Sequence, residues 1–576
     1  MTPTPAPHDQ PRFAIGVDYG TGAVRALVAD TDSGEELAVA SWEYAHGRRG
    51  VITDAADPNL ARQHPADYAE GFTRTVAEAV ASASRNPRFH PSRVVGIGID
   101  TTGSTPLPLD ADARPLALNP QLAENPAAMA WLWKDHTSHA EAAEITERAA
   151  GTPYLTACGN VYSSEWFWSK ALRCARTSPK VFDAAHAWVE LCDYIPALLT
   201  GVTDPRAIKR SICAAGHKGM YHPAWGGLPP ADFLASLHPS LPKLRDTYTH
   251  PALPADQPAG TLTPISPTSS ACPTTPPVAA GALDAHMGAI GAGVAPGTLV
   301  KILGTSTCDC LVAPLTDSIV TIPGVSGVVP ESVLPGMLGI EAGQSAVGDI
   351  FDWYVSRIGN GFQPTTANLP DPASTHAHLT KLAAALAPGQ SGLLALDWHN
   401  GNRNVLADPL LTGLILGQTL HTTPAETYRA LIEATAFGAR MILERLAQHD
   451  ITIDRIVNCG GIADKSPLVM QIYADVCNRP MHIARSSEAC ALGAAACAAV
   501  VGGAHPDVPT AQHAMTGTKP RSYTPDPARA ATYAKLFDLY TKLHDAFGGV
   551  QSAPDLGPVM KQLLAIRDDV RRAQTA

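Results

Sequence analysis

The sequence predicts an α/β protein in which two related lobes enclose a cleft. A glycine-threonine turn occurs twice, as Gly20-Thr21-Gly22 near the start and as Gly304-Thr305-Ser306 past the middle of the chain. Each turn lies between two apolar runs, a pattern typical of a β-hairpin. At 576 residues the chain also exceeds what a single hydrophobic core usually holds. Two similar lobes, each with one hairpin, are therefore expected.

Both predicted hairpin tips have the chemistry of a phosphate-binding loop. Glycine lets the backbone come close to a ligand, while exposed N–H groups and hydroxyls can contact anionic phosphate oxygens. Two such tips, one from each lobe, indicate a single nucleotide held between them.

The remaining N-terminal elements follow from local pattern. Residues 93–100 are apolar between Arg93 and Asp100 and predict a buried strand that ends in the turn 101–105. The segment 251–277 is dense in Pro, Thr and Ser, which predicts a loop or linker before a domain boundary.

The second half begins with a short apolar run, 278–283, followed by Asp284 and a series of small residues up to Gly293. The pattern predicts a strand leading into a tightly packed helix. A carboxylate at the start of this helix could face the cleft, or it could serve only as a helix N-cap. The residues alone leave both roles open.

A third glycine turn, 459–466, follows an apolar strand and precedes a predicted helix over 467–477. Helix N-termini after glycine turns suit nucleotides and phosphates. The alanine-rich stretch 489–504 is too short to span a bilayer, so we predict a buried helix there.

Composition excludes several classes of protein. The net charge of −11 disfavours binding to nucleic acid or to an anionic membrane. Eleven scattered cysteines without a C-x-x-C pair are typical of reduced thiols in a cytoplasmic protein.

The chain has neither a G-x-x-x-x-G-K-S/T string nor a G-x-G-x-x-G fingerprint, which argues against P-loop and Rossmann nucleotide sites. No histidine pair has zinc-ligand spacing, and we expect no zinc site.

With these three glycine turns and Asp284 opening the second half, the chain resembles the FGGY family of carbohydrate kinases from about Phe13 to Gly549. The segments 159–172, 193–201 and 413–438 carry the resemblance best. The family implies a duplicated actin-like, RNase H-like ATPase fold, with sugar and ATP bound in the cleft between the domains. On this basis we expect a disordered tail over 1–11, an N-terminal FGGY domain over 12–278, a C-terminal FGGY domain over 279–550 and a C-terminal helical tail over 551–576.

Within the family, the chain is most similar to the ribulokinase branch. The distinguishing strings are at 100–106, 124–126, 132–137, 215–218, 304–309 and 341–345. The strings Asn-Gln-Arg-Glu of glycerol kinases and Gln-Met-His of xylulokinases are absent. The resemblance implies ATP-dependent phosphorylation of the 5-hydroxyl of L-ribulose in L-arabinose catabolism, with Mg²⁺, in a cytoplasmic enzyme that could form a homodimer. The alternatives are a kinase for D-ribulose, ribitol or another pentulose or pentitol, and a catalytically silent sugar sensor.

The resemblance also assigns roles to individual residues. It implies that Asp284 is the catalytic base, with an ordinary pKa of ~3.9, and that Asp18 helps to hold Mg²⁺, although a turn-forming aspartate would look the same. The residues implied to contact ATP are Gly20, Thr21, Gly22, Arg25, Gly304, Thr305, Ser306, Gly401, Gly460, Gly461 and Lys465.

For the sugar, the resemblance points to Gly103, Ser104, Lys218, Asp284 and Glu341. A neutral polyol needs several directed donors and acceptors, which a buried lysine and a buried glutamate can supply. For isolated charges, a surface position is the more common case. Trp133, Trp166 and Trp168 lie beside these segments, and we expect all three to pack in the core.

Overall fold

A computed structural model describes residues 10–263, 275–316, 321–358, 372–550 and 555–575. Most of the predicted N-terminal tail and the centre of the predicted linker therefore lie outside the described residues.

The N-terminal lobe is a twisted sheet with helices on both sides. Its strands are β1 (Phe13–Tyr19), β2 (Ala23–Asp30), β3 (Glu36–Glu43), β4 (Arg62–Gln63), β5 (Val94–Thr101), β6 (Pro106–Leu109), β7 (Ala130–Trp131), β8 (Ala187–Glu190), β9 (Pro258–Thr261), β10 (Pro277–Ala279) and β11 (Ala282–Leu283). Its helices are α1 (Ala66–Ala83), α2 (His139–Arg148), α3 (Pro153–Thr156), α4 (Phe167–Thr177), α5 (Pro179–Ala184), α6 (Leu191–Leu199), α7 (Ile212–Gly219), α8 (Ala231–Leu237) and α9 (Pro242–Arg245).

The second half of the chain repeats this arrangement. Its helices are α10 (Asp284–Gly291), α11 (Gly348–Trp353), α12 (Pro372–Ala384), α13 (Pro424–Ala447), α14 (Gly461–Lys465), α15 (Pro467–Cys477), α16 (Ala489–Val501), α17 (Val508–Met515), α18 (Pro527–Phe547) and α19 (Val559–Thr575). Its strands are β12 (Thr298–Leu303), β13 (Thr307–Pro314), β14 (Gly327–Pro330), β15 (Met337–Ala342), β16 (Leu394–Leu396), β17 (Leu414–Leu416), β18 (Arg455–Cys459), β19 (Met481–Ala484) and β20 (Thr518–Tyr523).

The two main sheets have the same strand order. The first runs β3-β2-β1-β5-β10-β9, and the second runs β15-β13-β12-β18-β19-β20, with β14 added beyond β15. In each sheet three antiparallel strands are followed by two parallel ones, and the last strand is antiparallel again. The predicted two-lobe α/β architecture is therefore confirmed, and both glycine-threonine turns connect the strands of a hairpin.

Two helices of small residues, α10 and α16, form the junction between the lobes. Helix α16 belongs to the second half of the sequence but packs on β1 and β5 of the first sheet. A Cβ atom at Gly16 would lie only 1.7 Å from the carbonyl oxygen of Ala491, so only glycine allows this approach. The helix is buried, as predicted for the alanine-rich stretch. The packing fixes the start of α10, and with it Asp284, at the seam between the two sheets.

Some local predictions need correction. The predicted linker contains β9, which pairs with β10, because its Pro258–Thr261 segment completes the edge of the first sheet. The third glycine turn contains the short helix α14. The domain boundary at 278/279 stays a prediction; it falls inside β10, and both β10 and the following β11 pair with β5. Among the described helices, none is both long and apolar enough to cross a lipid bilayer.

Candidate active site

A cavity of about 230 Å³ lies between the two hairpin tips, at the start of α10. Both lobes contribute to its wall. It brings together nine of the 17 residues predicted to bind ligands: Thr21, Gly103, Ser104, Lys218, Asp284, Gly304, Thr305, Ser306 and Glu341. A larger cavity of about 500 Å³ adjoins it and shares Glu165, Glu341 and Arg403 as lining residues.

Asp284 is the first residue of α10 and lines the cavity. Leu283 occupies the N-cap position, so Asp284 is not the N-cap that the sequence alone left open. Its Oδ1 accepts a hydrogen bond of 2.7 Å from the backbone N–H of Ala285. Burial, followed by the negative charge of Asp18, raises the pKa of Asp284 to about 7. The expected ordinary pKa is therefore wrong, and this carboxyl group is poised to exchange a proton near neutral pH.

Asp18 and Asp100 lie opposite each other on the paired strands β1 and β5. The Asp18 carboxylate accepts a hydrogen bond of 3.1 Å from Arg25. Asp100 is fully buried, and neither of its carboxylate oxygens has a hydrogen-bond partner among the described residues. Burial and the nearby charges of Asp18 and Asp284 raise the pKa of Asp100.

This group of carboxylates fits Mg²⁺. Magnesium prefers oxygen ligands and is usually held by one or two carboxylates, with water completing its coordination. The unpartnered oxygens of Asp100, next to Asp18, are the kind of buried group that a cation would satisfy. Asp100 is not among the residues that the sequence predicts to bind a ligand; it closes the predicted strand and begins the string 100–106. The signal that could have revealed it is a shared pattern, since Asp18 and Asp100 are each the next-to-last residue of a buried strand and the two strands are parallel.

The first hairpin tip is held from outside by Trp133. The indole Nε1 of Trp133 donates a hydrogen bond of 3.0 Å to the hydroxyl of Thr21. Trp133 lines the cavity, and its half-buried ring also packs against the small core cluster of Val51, Ala61 and Leu132, so the prediction of core packing holds for it only in part. Trp166 and Trp168 are buried in the core as predicted, and Trp166 also lines the larger cavity.

The second tip is braced by the start of α11. The carbonyl oxygen of Thr305 accepts hydrogen bonds from the N–H groups of Val347 and Asp349, at 2.8 and 3.1 Å. The carbonyl oxygen of Gly304 accepts one from Gly348. Since the carbonyls are tied to α11, the tip has a fixed backbone beside the cavity.

Lys218 and Glu341 meet across the lobes at the cavity wall. The Lys218 ammonium donates hydrogen bonds of 2.7 and 3.0 Å to the two carboxylate oxygens of Glu341. Both residues are buried, which rules out the surface positions considered for them. Burial raises the pKa of Glu341, but the charge and hydrogen bonds of Lys218 together with the neighbouring His217 and His286 outweigh it and hold that pKa well below its usual range.

The Gly103-Ser104 turn completes this end of the cavity. Ser104 has a left-handed backbone with φ of 51°, and its buried hydroxyl has no protein partner in the described structure. The carbonyl oxygen of Ser104 accepts a hydrogen bond of 2.6 Å from the buried ammonium of Lys170. Lys170 thus fixes the backbone of the turn, while the Ser104 hydroxyl is left available to a ligand.

The other predicted ligand-binding residues lie outside the cavity lining. Asp18, Gly20, Gly22 and Arg25 belong to the first hairpin, whose tip reaches the cavity through Thr21. A Cβ at Gly460 would lie 2.5 Å from the carbonyl oxygen of Leu303, which places the third glycine turn beside the second tip.

The rest of the predicted adenosine region extends away from the cavity. Gly461 and Lys465 are exposed at the two ends of α14. Asp464, in the same short helix, pairs with Lys519 at 2.6 Å. Gly401 contacts Pro409 and does not line the cavity.

An ion pair between the lobes was not predicted. Arg403 donates a hydrogen bond of 3.0 Å to Glu165, and both side chains line the cavity. The two residues are 238 positions apart, and no local sequence pattern links them. Together with Lys218 and Glu341, they give the cavity two ion pairs that each join one lobe to the other.

Comparison with known families identifies this arrangement. The FGGY carbohydrate kinase N-terminal domain matches residues 13–291, and the FGGY C-terminal domain matches residues 299–501. The chain belongs to the FGGY family of carbohydrate kinases. As a member of that family it is a sugar kinase, as the resemblance of its motifs implied.

Individual relatives agree with this assignment. A ribulokinase of Vibrio parahaemolyticus is 39% identical over 547 residues, which cover 92% of this chain and 95% of the relative. A ribulokinase of Mycolicibacterium smegmatis is 38% identical, with 100% of this chain and 99% of the relative covered. Among solved structures, xylulose kinase from Rhodospirillum rubrum has a TM-score of 0.74 at 23% identity, covering 94% of this chain and 99% of that one. This last similarity supports the fold.

Proposed function

We propose that this protein is an ATP- and Mg²⁺-dependent ribulokinase that phosphorylates the 5-hydroxyl of L-ribulose. The observation that carries the proposal is the position of Asp284. Its carboxyl group lines one cavity with a hairpin tip from each lobe and with the buried Lys218–Glu341 pair. The ribulokinases that match nearly the whole chain support the choice of substrate.

The polar end of the cavity suits a neutral sugar. Lys218 and Glu341 neutralise each other, so an anionic substrate would gain little from the lysine. Separately, the ammonium can donate to a sugar oxygen and the carboxylate can accept from a hydroxyl. Ser104 adds a hydroxyl that is free to bond with a ligand.

In the proposed reaction, the oxygen of the 5-hydroxyl attacks the γ-phosphorus of ATP. A new O–P bond forms, the bond from the γ-phosphorus to the β,γ-bridging oxygen breaks, and ADP leaves with that electron pair. Asp284 accepts the proton of the hydroxyl. Asp18 and Asp100 would hold Mg²⁺, which when bound would supply neutralisation of the phosphate charge.

The protein's own contribution is mainly positioning and charge. The Thr21 hydroxyl and the second tip, Gly304 to Ser306, would hold the phosphates, with Arg25 near the first tip. Gly401, Gly460, Gly461 and Lys465 stay proposed ATP contacts on the resemblance of their segments. The two ion pairs between the lobes would hold the lobes together around a bound sugar, which would exclude water as a competing acceptor.

A substrate panel tests this function. L-ribulose, D-ribulose, L-xylulose, D-xylulose and ribitol are compared in a coupled assay for ADP, with Asp284→Asn as a blank for contaminating kinases. We expect the highest kcat/KM with L-ribulose. Absence of L-ribulose turnover would overturn the substrate assignment, and turnover of another pentulose or pentitol would replace it. Absence of turnover with every sugar, together with retained sugar binding, would favour a silent sensor.

We also propose a cytoplasmic location. The ten cysteines that the structure describes are all free thiols, which agrees with a reducing compartment. A homodimer stays a prediction, which light scattering of the purified protein can measure.

A further inference from the structure

His286 is a buried histidine in the wall of the candidate active site. It follows Asp284 by two positions in the first turn of α10, and only 1% of its surface is exposed. Neither ring nitrogen has a hydrogen-bond partner among the described residues. Leaving a buried polar group without a partner costs ~1–3 kcal/mol, so most such groups are satisfied in folded proteins. A ligand in the cavity is the natural partner for this ring.

The neighbouring groups are already engaged with one another. His286 Nε2 lies 3.5 Å from Glu341 Oε2, but that carboxylate accepts both of its short hydrogen bonds from Lys218. The ring of His217 lies 4.7 Å from that of His286, and its own Nε2 is 2.9 Å from the hydroxyl of Ser332. The protein therefore anchors His217 and leaves His286 available.

A metal ion is the alternative partner for His286. Ligand atoms of His217, His286 and Glu341 lie within 4.8 Å of one another, and these residue types bind divalent cations. The Lys218 ammonium, however, is 2.7 Å from the same carboxylate. A cation at this place would face that positive charge at close range, so an uncharged ligand fits better.

The protonation state of His286 points the same way. Burial lowers the pKa of His286 to about 4, an effect that exceeds the opposing influence of Glu341. The ring is therefore neutral near pH 7 and offers one N–H donor and one nitrogen acceptor. This combination matches alcohol and carbonyl oxygens of a sugar and gives no charge with which to bind an anion.

We propose that His286 is a specificity-determining residue that hydrogen-bonds the carbonyl-bearing end of the ketose. The inference rests on the proposed function, which supplies the ketose as substrate. With the 5-hydroxyl at Asp284, the rest of the carbon chain extends toward Lys218 and Glu341, where His286 lies. Its two ring nitrogens then form hydrogen bonds with the sugar oxygens that lie farthest from the phosphorylated 5-hydroxyl.

Two variants test the role of His286. His286→Leu removes both nitrogens while keeping a similar bulk, and His286→Asn retains one donor and one acceptor. Losing a buried hydrogen bond worth ~1–3 kcal/mol raises KM for L-ribulose about 5- to 150-fold in His286→Leu. We expect a smaller rise in His286→Asn and an unchanged KM for ATP in both. Ribitol lacks the carbonyl group. The ratio of kcat/KM for L-ribulose to kcat/KM for ribitol should therefore be smaller in His286→Leu than in the wild type.

His544→Leu is the matched control, because His544 is a buried histidine of α18 whose Nε2 also has no partner among the described residues. It should change the melting temperature without changing either KM. An unchanged KM and an unchanged ketose-to-pentitol ratio in His286→Leu would overturn the inference. If His286→Leu does not fold, the KM for L-ribulose and the ketose-to-pentitol ratio of His286→Asn test the inference in its place. If the wild-type enzyme accepts a different pentulose, the proposed substrate fails, and the same comparison on the accepted ketose still tests His286.

Discussion

Each of the two hairpins has a pair of oppositely charged residues facing each other across its two strands. The acidic residue is on the first strand of one hairpin and on the second strand of the other. In the first, Asp18 on β1 is directly opposite Arg25 on β2; in the second, Lys301 on β12 is directly opposite Asp309 on β13. The Lys301–Asp309 pair is fully buried, with its shorter contact at 2.5 Å. The Asp18–Arg25 pair is looser, at 3.1 Å, and 42% of the Arg25 side chain is exposed.

This difference separates a functional carboxylate from a structural one. A tight buried pair leaves Asp309 no capacity for a ligand, and its cost of burial is offset only while both partners are present. A partly exposed pair such as Asp18–Arg25 contributes little to stability. Asp18 and Arg25 are thus free to turn toward Mg²⁺ and phosphate, while Lys301 and Asp309 hold the second hairpin together.

Of the changes in the two hairpins, the largest expected effect is on catalysis, at Asp18. In the proposed site, Asp18→Asn removes a charge next to the transferred phosphoryl group, and we expect kcat to fall about 100- to 1,000-fold. The Mg²⁺ concentration for half-maximal rate should rise, because a ligand to the cation is weakened. Steady-state kinetics over a Mg²⁺ series measures both quantities. A normal Mg²⁺ dependence in this variant would show that Asp18 does not contact the ion.

The matching change in the second hairpin should affect stability instead. Asp309→Ala leaves the Lys301 ammonium buried without its partner, so the free energy of unfolding should drop by about 3–5 kcal/mol. The kcat per folded molecule should stay close to that of the wild type. Urea unfolding and an active-site titration provide the two values. Adding Lys301→Met should recover part of the stability; a catalytic defect at full stability would contradict the comparison.

The pH dependence of the reaction should follow Asp284. Its pKa is raised to about 7, mainly by burial and then by Asp18, and only the deprotonated carboxylate can accept the proton of the sugar hydroxyl. The value of kcat/KM should therefore fall as pH decreases through 7, approaching a tenfold loss per pH unit at lower pH. A rate profile between pH 5 and 9 measures it. A flat profile down to pH 5 would mean that a carboxyl with an ordinary pKa is the base.

The smallest expected effect concerns the contact that supports the first tip. Trp133→Phe removes the hydrogen bond to the Thr21 hydroxyl, worth ~0.5–1.5 kcal/mol, so KM for ATP should rise about two- to tenfold. Trp188→Phe is the control, since this buried indole in β8 does not line the cavity. It should alter the melting temperature and leave KM for ATP unchanged. Equal KM values in both variants would show that Trp133 does not position the tip.

Local pattern was sufficient to predict the hairpins, the bounds of α15 and the start of a helix at Asp284, because each depends on residues that are near in sequence. The contacts across the cleft could not be predicted in this way. Lys218 and Glu341 are 123 residues apart, and Glu165 and Arg403 are 238 apart. Such pairs form only when the two lobes meet. The raised pKa of Asp284 has the same origin, since packing of the lobes removes its carboxyl group from water.

The central claim is that Asp284 takes the proton from the sugar hydroxyl between the two lobes. Replacement by asparagine keeps the size of the side chain but removes the base, and general-base catalysis contributes about 10²- to 10⁴-fold to rate. A single-turnover assay of Asp284→Asn with L-ribulose, combined with calorimetric measurement of ATP binding, tests this directly. We predict a rate reduced by that factor with ATP affinity unchanged. An undiminished rate would contradict the account.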